Sequence, residues 1–374
     1  MSVENILGEV LKRAQSDIKR REINNSEIYE RLDYVCRCIS NRACIRLLMA
    51  CVLAKLDNPG IDPRKPYTEI GTSNSFSGRI YDEAYLTHFI NVNGLPCNST
   101  TAFLTPAFRS ADQTLTKDIK LIGRPREVYV STVQLLDDVY KKRVTPMALL
   151  VDAIRILIKL RDEKRQRMGA QLAALKSGQG SLPLSSEEIV TLIEQHLACK
   201  KSSRLPVLIV AAAYQVAGSY IGEQVKRLQA HNAADLQTGA VGDIEIYLTN
   251  EDNISTAYEM KMHQVTINDV DLAVQKIADC KGERISNYIF ITTERIDQNV
   301  LEYTKKFYEE TGGTEITILD CIGFLRHFLH FFHRIRIDFL EKYQELVLQE
   351  TDSAVGQPLK EALLALRLAA ESGE

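Results

Sequence analysis

Several absences narrow the reading before any motif is found. None of the eight cysteines (Cys36, Cys38, Cys44, Cys51, Cys97, Cys199, Cys280, Cys321) forms a CxxC pair. That spacing argues against a structural zinc site, and several of these cysteines lie inside apolar helical patterns where a thiol behaves as a small hydrophobe. The expectation is a reducing cytoplasm without disulfides. No apolar run reaches the roughly 18–20 residues that a membrane span requires. The opening Met1-Ser2-Val3-Glu4-Asn5 has no basic segment leading into an apolar one, which predicts no secretory signal. There is no P-loop, no GxGxxG before a helix and no GxSxG, so nucleotide-driven and acyl-transfer chemistry lack support. Neither sign of charge dominates: the net charge is −3 over 374 residues. Such a balance does not decide for or against nucleic acid, whose binding depends on a local basic patch.

What is present is a chain of average composition, 45% hydrophobic and 25% charged, long enough for two domains. Its first half reads as helices. Val3, Ile6, Leu7, Val10 and Leu11 recur at helical spacing, as do Ile28, Leu32, Val35 and Ile39 after Asn25-Ser26. Asn41 is placed to cap a third helix, Arg42 to Leu56, apolar on most sides and therefore central. From Arg64 to Phe108 the pattern loosens, with one helix predicted around Tyr81 to Ile90. Long polar loop regions of this kind are usually functional. Helices resume at Glu127 to Val139 and Pro146 to Arg167. The linker signal is strongest at Lys176-Ser177-Gly178-Gln179-Gly180-Ser181. After it the order is helix, strand, strand, helix, strand, helix, strand, helix, which indicates a mixed α/β sheet covered by helices. One helix is expected to run from Pro206 to Leu228 and another from Cys321 to Gln349. The resulting division is 1–178, mainly helical and a candidate for DNA recognition; 184–350, the α/β domain; and 351–374, a tail that is a weak helix or a disordered end.

Two predicted strands carry the chemistry. Gly242-Asp243-Ile244-Glu245-Ile246-Tyr247-Leu248 is followed, after a polar turn, by Thr256-Ala257-Tyr258-Glu259-Met260-Lys261. Side chains alternate across a strand, so Glu259 and Lys261 share one face and a hairpin brings Asp243 beside them. Ile244, Ile246, Tyr258, Met260 and Met262 form the opposite, apolar face. Glu245 shares the Asp243 face as a reserve ligand, and His263 shares the Glu259 face. Two carboxylates and an ammonium can hold a hard divalent cation and position a water for phosphodiester cleavage. The competing account is a salt-bridged hairpin whose acids face solvent. Burial of the flanking strands weighs against it, because charge on a core strand is costly unless used.

Asp243 with Glu259-Met260-Lys261 resembles the PD-(D/E)xK signature of the restriction-endonuclease-like nucleases. Gly242 stands where the family name has proline. The resemblance implies a restriction-endonuclease-like mixed sheet flanked by helices. It implies Asp243 and Glu259 as Mg²⁺ ligands, Met260 lending its backbone carbonyl, and Lys261 as base or water-orienting group, with Mn²⁺ able to substitute for Mg²⁺. Glu223 matches the acid that many members carry on the preceding helix. The stretches Ala54 to Lys65, Ser77 to Glu83 and Gly94-Leu95-Pro96 resemble the helical N-terminal regions of Type II restriction enzymes of the SacI-like group. That narrower likeness implies sequence-specific cleavage of double-stranded DNA by a homodimer, leaving 5′-phosphate and 3′-hydroxyl ends, with a companion methyltransferase. Readings that stay open beside it are another DNase of the superfamily, methylation-dependent or anti-phage, and a non-catalytic DNA-binding protein on the same fold. Candidate DNA contacts are Arg79, Arg109, Lys117, Lys120, Arg124 and Arg126, with Lys141, Lys142 and Arg143 behind them, and His263 and Gln264 near the acids. His327, His330 and His333 repeat every three residues among phenylalanines. Without a carboxylate at matching spacing, this stripe reads as the polar edge of a core helix.

Overall fold

The computed structural model describes residues 2–16, 20–98, 100–109, 113–119, 121–177, 182–226, 228, 240–251, 253–280 and 285–372. The chain divides into two compact units, Met1–Arg167 and Met168–Glu374. Among the described residues, no helix is long and apolar enough to cross a membrane.

The first unit is built from α1 (Val3–Ser16), α2 (Ser26–Arg37), α3 (Ala43–Asp57), α4 (Arg126–Tyr140) and the start of α5 (Pro146–Ser177). Asn25 caps α2, its side chain accepting the Ile28 amide at 3.1 Å. Every residue of α3 from Ala43 to Ala54 is buried, as expected of a helix apolar on most sides. Asn41 does not cap α3; the cap position is Arg42, which makes no side-chain cap bond. Inside this apolar helix, Arg46 is fully buried and forks onto three acceptors. It donates to Asp82 Oδ1 at 2.5 Å, the Asn98 carbonyl at 2.6 Å and Thr87 Oγ1 at 2.6 Å. Asp82 also accepts from Thr101 Oγ1 and the Ala102 amide, at 2.7 and 2.8 Å. The loosely patterned region is therefore tied to the central helix by a satisfied charge network. Its predicted helix spans Gly78 to Asn93, with a π-helical turn at Tyr81–Leu86 that carries Asp82.

The second unit opens with α6 (Ser186–Leu197) and α7 (Leu205–Ile221), followed by β1 (Glu223–Val225), β2 (Ile244–Leu248) and β3 (Ile254–Lys261). Then come α8 (Ile267–Asp279), β4 (Asn287–Thr292), α9 (Gln298–Thr304), α10 (Phe307–Glu310), β5 (Glu315–Asp320), α11 (Cys321–Phe331), α12 (Arg336–Gln349) and α13 (Gln357–Ser372). The five strands lie in the order β1-β2-β3-β4-β5; β1 to β3 pair antiparallel, and β3 to β5 pair parallel. This is the mixed sheet flanked by helices that the element order predicts. Ile244, Ile246, Tyr258 and Ile291 pack on one face with α7, α11 and α12. Ala257, Tyr288, Phe290, Ile316 and Ile318 pack on the other with Val270 and Ala273 of α8.

The helix expected from Pro146 to Arg167 runs on to Ser177, into the predicted linker, and three further predicted elements differ. The helix expected to reach Leu228 ends at Gly222, whose φ of 73° favours glycine, and the chain turns into β1. The turn is tight: a side chain at Gly218 would meet the Glu223 carbonyl oxygen at 2.3 Å. The helix expected from Cys321 to Gln349 is broken by a 3₁₀ turn at His333–Ile335. Beyond Thr351, α13 buries Leu359, Leu363 and Leu364 in the same core as α6 and α7, so these residues are packed rather than loose.

Candidate active site

The antiparallel register sets Ile244 opposite Tyr258. Asp243 stands one residue before β2, exposed, and its Oδ2 accepts the Met260 backbone amide at 2.7 Å. Gly242 makes this approach possible. A side chain there would lie 2.6 Å from the Tyr258 carbonyl oxygen. The position where the family signature names proline is therefore one where the chain passes too close to β3 for any side chain.

Glu259 and Lys261 do share a face, opposite Tyr258 and the α7 core. Their carboxylate and ammonium meet at 3.3 Å, both largely buried. Lys261 Nζ also meets Asp269 Oδ1 at 3.1 Å. Burial opposes the charge on Lys261, but Glu259 and Asp269 outweigh it and raise its pKa. Asp269 is itself held by the capping box that starts α8. Its Oδ2 accepts from the Thr266 amide at 2.9 Å and Thr266 Oγ1 at 2.6 Å. Burial tends to raise the Asp269 pKa, but these bonds and Lys261 bring it below the ordinary value. Glu259 Oε2 receives two further donors, Lys276 Nζ at 3.1 Å and the Tyr288 hydroxyl at 3.2 Å. Asp269, Lys276 and Tyr288 were not foreseen. The Thr266-x-x-Asp269 pattern could have flagged the first as a cap, whereas the other two reach Glu259 only through tertiary packing.

The remaining sequence candidates fall as follows. Glu223 is not on a helix but opens β1. It shares the strand face of Val225, which packs with the α7 core, and so lies across the sheet from Glu259. Burial raises its pKa. Glu245 is buried and already engaged, by the Val241 amide at 3.0 Å, the Tyr247 hydroxyl at 3.3 Å and Lys226 at 3.2 Å. Met262 and His263 lie past the end of β3 and are exposed, with His263 Nδ1 2.9 Å from the Gln264 carbonyl oxygen. Gln264 is exposed as well. Among the described residues no three His, Cys, Asp or Glu side chains converge as a metal cluster. The residues that could hold a cation at this end of the hairpin are Asp243 and Glu259, with the Met260 carbonyl as the third donor that the family resemblance implies. That suits Mg²⁺, which keeps several of its own waters and takes few protein ligands.

In the first unit, Arg79 is paired with Glu83 at 2.7 Å, and Arg109 and Arg124 are exposed. Lys117 and Arg126 line one cavity of about 290 Å³ with Tyr129 and Val133. Lys117 also borders a groove of about 380 Å³ with Lys141 and Arg143, but acids share it, and Lys141 and Arg143 are paired with Asp137 and Asp138 at 2.6 and 3.2 Å. Lys120 lies outside the described residues. The histidines of the stripe have separate surroundings. His330 pairs with Glu187 at 2.8 Å, His327 stacks on Phe331, and His333 belongs to the 3₁₀ turn.

The second unit thus carries a mixed five-stranded sheet with Asp243 just before β2 and Glu259-Met260-Lys261 at the end of β3. Residues 181–293 match the family model of the SacI restriction endonuclease C-terminal domain. That segment spans α6 to β4 and contains Asp243, Glu259 and Lys261. Over these residues, under a third of the chain, the protein is similar to that domain. A comparison with curated proteins gives no match.

Proposed function

We propose that the second unit is catalytic and that the protein is a Mg²⁺-dependent Type II restriction endonuclease. It would hydrolyse double-stranded DNA at specific sequences to leave 5′-phosphate and 3′-hydroxyl ends. The observation that carries this reading is the fastening of Asp243 to the peptide between Glu259 and Met260, with Lys261 next on the Glu259 face. Asp243, Glu259 and the Met260 carbonyl would hold the cation, with Mn²⁺ as a substitute. When bound, the ion supplies positive charge against the negative charge that develops on the phosphate. Lys261, charged at neutral pH, donates rather than accepts a proton; it orients the attacking water and stabilises the same developing charge. Asp269 holds the ammonium in place. In the first unit, Lys117 and Arg126 are the candidates for phosphate contact that share one cavity, with Arg109 and Arg124 as exposed partners. A homodimer and a companion methyltransferase complete the proposal, as the Type II class implies.

The test is digestion of plasmid and phage DNA with Mg²⁺. Discrete bands support this reading. A smear or nicks point to a non-specific DNase on the same fold, and intact DNA at all metal and protein concentrations removes the catalytic assignment.

A further inference from the structure

The carboxylate of Glu259 is covered on both oxygens. Oε1 faces Lys261 at 3.3 Å, and Oε2 faces Lys276 at 3.1 Å and the Tyr288 hydroxyl at 3.2 Å. The two lysines are not equivalent. Lys261 is shared with Asp269, which anchors it whether or not Glu259 is engaged elsewhere. Lys276 sits seven residues after Asp269, two turns along the same face of α8, and reaches in from the helix at 28% side-chain exposure. An ammonium about 3 Å from a carboxylate oxygen stands where a divalent cation on that oxygen would repel it. Its four-carbon stem allows it to swing away.

Resting on the catalytic reading above, we propose that Lys276 competes with the divalent cation for Glu259 and sets the metal requirement of the site. Without the ion, Lys276 helps to neutralise the partly buried Glu259 carboxylate on its Oε2 side. When the ion arrives, the ammonium leaves Glu259 and remains at the edge of the site as a cation beside the incoming phosphate. Lys276 is thus a positioning residue whose removal strengthens metal binding, the opposite of what loss of a ligand or of a supporting contact would do.

The experiment is calorimetric titration of the full-length protein with Ca²⁺ in the absence of DNA, with melting curves in EDTA confirming that each variant is folded. Binding that Glu259→Gln removes is the signal. Lys276→Met is expected to tighten it roughly five- to tenfold, the size of a partly buried ion pair removed. Lys276→Arg, whose planar fork pairs more firmly with a carboxylate, is expected to leave it equal or weaker. Glu259-dependent binding that is unchanged or weaker in Lys276→Met overturns the role of Lys276 and leaves the catalytic reading standing. If the unaltered protein shows no binding that Glu259→Gln removes, the metal site and this inference fall together.

Discussion

The carboxylate of Asp243 accepts the backbone amide of Met260 at 2.7 Å, which locks the acid before β2 to the peptide that follows Glu259. Gly242 permits this contact by passing against the Tyr258 backbone. Gly242→Ala should therefore displace Asp243 and cost about 1–3 kcal/mol through a forced backbone shift. Urea unfolding would show the loss. DNA cleavage should fall further than stability alone accounts for.

Glu259→Ala and Lys261→Ala should each lower cleavage by roughly 10²–10³-fold or more, the usual result of removing one charge-stabilising group. DNA binding measured in Ca²⁺ should stay within a few-fold. Normal cleavage by either variant would move the active site elsewhere.

His196 offers a pH test independent of catalysis. It is fully buried, with Nδ1 2.8 Å from the Tyr343 hydroxyl and Nε2 2.9 Å from the Leu359 carbonyl oxygen. Burial lowers its pKa to about 4, against the opposing pull of the Leu359 carbonyl. A depressed histidine stabilises the fold when neutral. Its contribution is present above the unfolded value near 6.5 and is lost as pH falls toward 4, up to about 3 kcal/mol. Stability measured by urea unfolding should fall between pH 7 and pH 4. His196→Gln, which can keep one donor and one acceptor, should flatten that decline.

Arg46 and Asp82 form a buried pair in the first unit, at 2% and 0% side-chain exposure. Removing one partner strands the other charge away from water. Arg46→Met or Asp82→Leu should each destabilise by about 3–5 kcal/mol, while the double variant should lose less than the sum of the two. A double-mutant cycle by chemical denaturation would show the coupling. Full additivity would mean that the pair does not act as a unit.

Much of the site was legible because it depends on short-range rules. Strand alternation places Glu259 and Lys261 on one face and Ile244, Ile246 and Tyr258 on the other, whatever the strands pack against. The same locality explains α3, whose unbroken apolar character marks it as central. Where local rules failed, a backbone detail intervened. Gly222 ended α7 early and carried Glu223 into a strand, on the face away from Glu259. The histidine stripe lost its regularity at the 3₁₀ turn that separates α11 from α12.

By itself, then, the amino-acid order determined the mixed helix-and-strand character of the residues after the linker and the shared face of Glu259 and Lys261. Only the tertiary structure decided who surrounds them. Parallel pairing of β3 with β4 brings Tyr288 to Glu259, and the fold of α8 against the sheet brings Asp269 and Lys276. Alternation along a strand is a property of the backbone over a few residues. Which side chain arrives from another element depends on register and packing between segments distant in sequence, and no local pattern encodes it.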